Sequence, residues 1–257
     1  MGKSHGAALV FPEKSLYNKL FKQFLSIEVI PTGSFRTIWQ GLDWSYLTDI
    51  LIYVIPALLC ITIHETCHGL VAYKLGDPTA KNAGRLSLNP IRHIDWVGLA
   101  MMVVFHFGWA KPVPVDMRNF KNPRRGMAVT ALAGPVSNLL LAIVALALYG
   151  ILYYPLLMLG EAGYFLIRLL VTTAYLSTAL AVFNLIPISP LDGSKVLYSF
   201  LSDEAYYKLM RYERYGMILM IILVATGILG TPLSHVTERV FDVLTNVADW
   251  TNALIWG

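Results

Sequence analysis

Two histidines and a glutamate stand within five residues of one another, in the order His64-Glu65-x-x-His68. On an α-helix, residues four apart share a face, so His64 and His68 can present both imidazoles to one metal ion. Glu65 lies about 100° round the helix from His64, where it can act on a water molecule without being a ligand. Two histidine ligands beside a glutamate base are typical of zinc hydrolases.

The motif follows an uncharged apolar run, residues 51–63. Ionisable side chains at the end of a membrane-spanning run are costly unless they are paired or functional. The alternative interpretation is a polar helix end whose side chains reach the lipid headgroups. The apolar context favours a functional site over that alternative.

A second stretch whose side chains could take part in chemistry lies at the end of another apolar run. It reads Asn184-Leu-Ile-Pro187-Ile-Ser-Pro190-Leu-Asp192-Gly193. Zinc in a hydrolytic site usually has three protein ligands and an open fourth position. Asp192 is the best-placed candidate for the third ligand. The alternative is that Asp192 caps a helix beginning near Ser194, and only the histidine motif makes the ligand interpretation preferable.

The composition indicates a membrane protein. Of 257 residues, 56% are hydrophobic and 14% are charged, against about 25% charged in soluble domains, and the mean hydropathy is +0.58. We expect an all-α polytopic protein with about four to six transmembrane helices. The net charge of +4 bears on membrane orientation, and no nucleic-acid partner is expected.

Three regions follow from the hydropathy pattern. The pattern predicts an amphipathic or flexible N-terminal extension over residues 1–46 and the catalytic core over residues 47–200. Residues 201–257 predict a C-terminal transmembrane helix followed by an amphipathic interfacial helix from His235 onward. The predicted spans are residues 46–75, 126–149, 164–185 and 215–229.

Residues 77–125, between the first two core helices, do not resemble a single helix. Residues 84–90 alternate apolar and polar side chains, as strands do, and residues 97–109 are apolar but too short to span a bilayer as a helix. We expect a re-entrant, partly β-like segment. The proline-stiffened residues 111–115 would either offer an extended edge to a substrate backbone or form an ordinary loop.

The second core helix contains the small and polar sequence Ala133-Gly134-Pro135-Val136-Ser137-Asn138. Small residues let transmembrane helices approach closely, and Asn138 needs a partner inside the bundle. Gly134 and Pro135 are expected to serve helix packing. For Asn138, a structural contact and a substrate contact are both open.

The distribution of lysine and arginine predicts orientation. Residues 74–125 contain nine of them and residues 188–214 contain four, whereas residues 150–163 contain none. The metal motif is therefore expected toward the cytoplasmic side. The basic N-terminal extension conflicts with this assignment, so its side stays open.

In combination, these motifs resemble the site-2 protease family of intramembrane zinc metalloproteases, in the compact prokaryotic form without a PDZ domain. The resemblance covers about residues 47–200, although Trp96 stands where the family commonly has proline. The residues that carry it are His64-Glu65-x-x-His68, Gly76-Asp77-Pro78, Gly84-Arg85-Leu86, residues 108–114, Ala133-Gly134-Pro135-x-x-Asn138 and residues 184–193.

The resemblance implies one Zn²⁺ per chain, held by His64, His68 and Asp192, with Glu65 as general base. It also implies cleavage of a peptide bond in or near a transmembrane segment of a membrane-protein substrate, in a prokaryotic cell membrane. His93 and His106 have no role in this scheme and are expected to be structural. The residues that match motif positions thought to shape the site or hold substrate are Asn138, Asn184 and Pro187.

A different class of function is a non-catalytic metal-binding scaffold or a metal transporter. A transporter is expected to place several ligands along a path across the membrane, often with internal repeats. This sequence has one compact ligand set and no visible repeat. A degraded scaffold would be expected to lack Glu65 or a ligand, and all four residues are present, which favours the enzyme.

Overall fold

The computed structural model describes residues 44–98 and 110–257, and these residues form helices, turns and loops with no strand among them. The helical fold class predicted from composition is therefore confirmed. In chain order the helices are α1 (Trp44–Lys74), α2 (Thr79–Asn82), α3 (Pro123–Leu157), α4 (Glu161–Asn184), α5 (Asp192–Tyr198), α6 (Asp203–Arg211), α7 (Glu213–Ala225) and α8 (Gly230–Trp256).

Three described helical segments are long and apolar enough to cross a membrane: Thr48–Lys74, Pro123–Leu157 and Glu161–Asn184. The apolar part of α7, Tyr215–Val224, is shorter than the roughly 20 residues that a bilayer requires. The protein is thus a helical membrane protein. The expected total of four to six spans stays a prediction.

Helix α3 is longer than the sequence suggested. It was predicted over residues 126–149, but it begins at Pro123 and continues through Pro155 to Leu157, a length of 35 residues or roughly 50 Å. Asn122 caps its start by accepting a hydrogen bond from the Arg125 N–H. The connection from α3 to α4 is therefore only residues 158–160, where Gly160 has a φ of +60° that favours glycine.

Helix α8 packs against the bundle through its small and polar face. Gly150 of α3 permits this contact, because a Cβ there would clash with Thr251 and Ala248. Asn252 Nδ2 donates to the Gly150 carbonyl at 3.0 Å and Trp256 Nε1 donates to the Ile151 carbonyl at 2.9 Å. The apolar side chains of Val236, Val243, Trp250 and Leu254 are exposed, and the interfacial position expected for this amphipathic helix stays a prediction.

The connection between α1 and α3 differs from the expected β-like segment. Residues 84–90 form no strand, because their backbone makes local hydrogen bonds, such as that from the Arg85 N–H to the Ala80 carbonyl at 2.9 Å, and no partner strand is present among the described residues. Ser87 Oγ accepts from the Asn89 N–H at 3.2 Å, and Asn89 Oδ1 accepts from the Ile91 N–H at 3.0 Å. This leads into a 3₁₀ turn over Pro90–His93.

Two predictions fall wholly or largely outside the described residues. The N-terminal extension lies almost entirely within residues 1–43. Most of the apolar segment 97–109, including His106, lies within residues 99–109. The amphipathic extension and the re-entrant element therefore stay predictions.

Candidate metal centre

The three predicted ligands come together, although α1 and α5 contribute them from distant parts of the chain. Nε2 of His64 lies 3.1 Å from Oδ2 of Asp192, and Nε2 of His68 lies 3.2 Å from the same oxygen. The donor atoms of all three residues lie within 4.8 Å of one another. All three residues are at least nine-tenths buried, so the donor atoms converge on one enclosed point.

The far side of each imidazole is held by α3. Nδ1 of His68 lies 2.7 Å from the Thr130 carbonyl, which can only accept, so Nδ1 carries the proton and Nε2 keeps its lone pair. Nδ1 of His64 lies 3.2 Å from the amide of Asn138. Such outer hydrogen bonds fix the tautomer and ring orientation of metal-binding histidines.

Asn138 is fully buried, and its Oδ1 has no hydrogen-bond partner among the described residues. Rotating the amide by 180° brings Oδ1 to the Nδ1–H of His64 and satisfies both groups. The backbone carbonyl of Asn138 accepts a hydrogen bond from Ser177 Oγ of α4 at 2.9 Å. Asn138 therefore links the first ligand to two spanning helices.

Gly134 forms the floor of the site. A Cβ at this position would clash with His68 Nε2 and would lie 2.5 Å from Cε1 and 2.6 Å from Nε2 of His64. Only glycine lets α3 approach the two imidazoles this closely. The sequence interpretation assigned Gly134 to general helix packing and missed this role, although its place among small residues near Asn138 was a usable signal.

Asp192 begins α5 but does not cap it. The N-cap residue is Leu191, which makes no side-chain capping bond, and the Asp192 carboxylate faces the two histidines instead. Its Oδ2 lies 3.1 Å and 3.2 Å from the two Nε2 atoms, and electron-pair donors this close together need a shared proton or cation between them. The side chain is thus ready to act as an anionic ligand.

Glu65 lies beside the ligand set without joining it. Its Oε2 accepts a hydrogen bond from the Val113 N–H at 2.9 Å, which fixes the carboxylate relative to residues 111–115. In that segment Pro112 and Pro114 have no N–H, and the Lys111 N–H donates to the His93 carbonyl at 3.0 Å. The segment therefore has few donors to spare for the predicted pairing with a substrate backbone, which stays a prediction.

Two cavities meet at the ligand set. One, of about 310 Å³, has apolar walls from residues such as Leu58, Ile61 and Phe183. The other, of about 620 Å³, is bordered by Asp116, Lys195 and Glu213. Both cavities are lined by His64, Glu65, Asn184 and Pro190.

The predicted substrate-binding residues occupy different surroundings. Asn138 contacts His64 and has no exposed surface. Asn184 borders both cavities, and its Nδ2 donates to the Leu180 carbonyl at 3.0 Å. Pro187 is exposed and is not among the described residues that line the two cavities. Substrate contact by these three residues stays a prediction.

The donor set fits a catalytic zinc ion. Two imidazole nitrogens and one carboxylate oxygen are a common set of protein ligands for hydrolytic zinc. The adjoining cavities leave room for water and substrate at a fourth position. The close approach of Gly134 and the hydrogen bonds that orient the two imidazoles agree with a metal-binding role, because metal-binding histidines usually have such outer partners.

Comparison with known proteins agrees with this chemistry. The family model for peptidase family M50 matches residues 155–229. A Bacillus subtilis (strain 168) protein named "Putative zinc metalloprotease YwhC" is 40% identical over 174 residues, which cover 67% of this chain and 80% of the relative. "Putative zinc metalloprotease Rip2" of Mycolicibacterium smegmatis is 27% identical over 227 residues, 85% of each chain.

No solved structure matches the chain. The similarity to the Bacillus protein is extensive enough to establish the family by itself, and the helical fold and the ligand geometry agree with it. The chain therefore belongs to peptidase family M50, the site-2 protease family of zinc metalloproteases.

Proposed function

We propose that this protein is an intramembrane zinc endopeptidase, which cleaves a peptide bond within or beside a transmembrane segment of a membrane-protein substrate. The observation that carries the proposal is that all three ligands line a cavity with charged residues at its border, while His64 and Glu65 also line the neighbouring apolar cavity. An apolar cavity among membrane-spanning helices suits a lipid-soluble segment. The polar cavity suits the water that hydrolysis consumes.

The roles of the residues follow from their contacts. His64, His68 and Asp192 would hold the zinc ion. When bound, zinc supplies a Lewis acid that polarises a peptide carbonyl and makes water a better nucleophile. Glu65, oriented by the Val113 N–H, accepts a proton from the attacking water and returns it to the leaving amine.

A transmembrane helix must be locally extended before one of its carbonyls can reach Glu65, because the helix occupies its own backbone groups in hydrogen bonds. We infer a multi-pass location in the cell membrane, with the active site toward the cytoplasm. The nine lysines and arginines of residues 74–125 support this orientation. Such a site would serve regulated intramembrane proteolysis.

The test replaces the proposed base without touching the ligands. We expect Glu65→Gln to retain zinc and to lower the cleavage of a membrane-protein substrate by about 10²- to 10⁴-fold, the usual contribution of general base catalysis. The measurement compares zinc content and turnover in detergent for both proteins. Turnover close to that of the unaltered enzyme would remove Glu65 from its role.

A further inference from the structure

His93 is a buried histidine that the catalytic scheme does not use. It is 1% exposed and forms part of the wall of the apolar cavity, together with His64 and Glu65. A buried imidazole in the wall of a reaction cavity requires an explanation, because its two nitrogens both need hydrogen-bond partners.

The protonation of this ring follows from its neighbours. Nε2 of His93 lies 2.8 Å from the Ser87 carbonyl, and the same carbonyl accepts a hydrogen bond from Thr66 Oγ1 at 3.0 Å. A carbonyl cannot donate, so Nε2 carries the proton and Nδ1 of the neutral ring is an acceptor. Because Thr66 follows Glu65 on α1, this arrangement fixes the ring relative to the catalytic helix.

Nδ1 itself is buried and has no hydrogen-bond partner within the part of the chain that is described. The nearby Asp95 carboxylate cannot serve, because an ionised carboxylate only accepts, and its Oδ1 already accepts from the N–H groups of Val97 and Gly98. Leaving a buried acceptor unpaired is unfavourable. The atom is therefore suited to a donor that arrives with a ligand.

Thr62 has a hydroxyl group, a hydrogen-bond donor that complements the His93 Nδ1 acceptor, and it belongs to the wall of the same cavity. Its hydroxyl is buried without a partner among the described residues. Two buried threonines of α4 bond back to their own helix: Thr173 Oγ1 donates to the Leu169 carbonyl and Thr178 Oγ1 to the Ala174 carbonyl, the usual arrangement in a spanning helix. The hydroxyl of Thr62, like that of Thr130, makes no such bond and is left available as a donor.

We propose that His93 and Thr62 form a backbone-binding subsite, in which Nδ1 of His93 accepts a peptide N–H and the Thr62 hydroxyl donates to a peptide carbonyl of an extended, apolar substrate segment. A segment unwound in an apolar cavity loses the hydrogen bonds of its helix, and each exposed backbone group then needs a new partner. The subsite supplies one acceptor and one donor beside Glu65. This inference rests on the proposed function.

The test uses a ligand that binds without being cleaved. The probe is a dye-labelled peptide of Leu and Gly residues ending in a hydroxamate, which anchors on zinc, and its affinity for the zinc-loaded full chain is measured by fluorescence anisotropy. A matched series of probes replaces each peptide N–H in turn with an ester oxygen. The wild type is expected to bind one ester probe about tenfold more weakly than the amide, the effect of one buried hydrogen bond.

The informative variant is His93→Gln, because the Gln Nε2 can still donate to the Ser87 carbonyl while the acceptor at the Nδ1 position is lost. We expect this variant to bind the amide probe about tenfold more weakly, to lose the discrimination at that one ester position, and to keep its zinc content and melting temperature. Thr62→Val should also weaken the amide probe. Thr178→Val, which removes a buried hydroxyl that is already paired, should leave probe affinity unchanged.

The inference is overturned if His93→Gln binds the amide probe as tightly as the wild type, or if it retains the same discrimination between amide and ester at every position. Failure of the proposed function has a different signature. In that case the coupling between His93 and one peptide N–H is present, while no membrane-protein substrate is cleaved.

Discussion

At the scale of single residues, the centre depends on groups that bind no metal. The Thr130 carbonyl and the Asn138 amide hold the Nδ1 sides of the two histidines, and Gly134 leaves the space that the rings fill. A histidine with a fixed ring direction loses less freedom when it binds a metal. The two histidines among the proposed ligands are therefore oriented by α3.

The glycine floor leads to a specific prediction. Gly134→Ala would place a methyl group against both imidazoles, so the rings must move apart and we expect zinc affinity and proteolysis to fall by about tenfold or more. The measurement is zinc bound per chain during titration with a competing chelator. Gly230→Ala is the matched control, because no atom lies within 4 Å of a Cβ there, and equal losses in both variants would refute the role of Gly134.

The sequence predicted the candidate ligands, which the structure brings together, but not the contacts that support them. His64, Glu65 and His68 could be recognised from helix periodicity alone, because their relation is local. The ligand role of Asp192 could not be separated from helix capping without knowing that α5 begins against α1. A backbone carbonyl such as that of Thr130 leaves no trace in the sequence, since every residue has one.

At the scale of elements, a buried carboxylate ties the connection between α1 and α3 together. Asp77 is fully buried and accepts hydrogen bonds from the Thr79 N–H at 3.0 Å, from the Asp116 N–H at 2.8 Å and from Asn119 Nδ2 at 2.7 Å. These bonds join the end of α1 to the segment that follows Val113. The carboxylate therefore helps to hold the segment that orients Glu65.

This tie predicts a pH-dependent stability. Burial raises the pKa of Asp77, but the hydrogen bonds from Thr79, Asn119 and Asp116 outweigh burial and hold the pKa below its ordinary value. The stabilisation is complete above the unfolded-state pKa of about 3.9 and is lost as the pH falls through the lower folded-state value. Asp77→Asn places an amide donor against other donors, so we expect the free energy of unfolding to fall by about 1–3 kcal/mol at pH 7.

The measurement is thermal unfolding in detergent at pH 7 and at decreasing pH. The difference in melting temperature between the wild type and Asp77→Asn should become smaller as the wild-type carboxylate becomes protonated. Arg118→Gln serves as the control, because its side chain is 87% exposed and exposed ion pairs contribute little. A difference that does not change with pH would contradict the assigned role of the Asp77 charge.

The elements themselves were predictable to different degrees. The two spans α1 and α4 follow their apolar runs closely, because hydropathy reports burial in lipid directly. Helix α3 was predicted to end at residue 149 but continues through Pro155 to Leu157, because a spanning helix tolerates an interior proline. The strand-like alternation of residues 84–90 was misleading, since a strand requires a partner and local capping by Ser87 and Asn89 takes its place.

At the scale of the whole molecule, the site is assembled from three parts of the chain that are far apart in sequence. Helix α1 supplies two of the proposed ligands and the proposed base, α3 supplies the supporting contacts, and α5 supplies the third proposed ligand. The two cavities give this assembly access to apolar and polar surroundings. Hydropathy predicted the helices but could not predict the cavities, because cavity shape depends on which helix faces meet.

The most direct test of this account is the metal content of the detergent-purified protein, measured by elemental analysis for the wild type and for Asp192→Asn. The account predicts about one zinc per wild-type chain and much weaker retention in the variant, because a neutral amide oxygen replaces an anionic ligand. Zinc retained undiminished by Asp192→Asn would contradict the three-ligand centre, and absence of zinc from both proteins after zinc is supplied would contradict the metalloprotease itself.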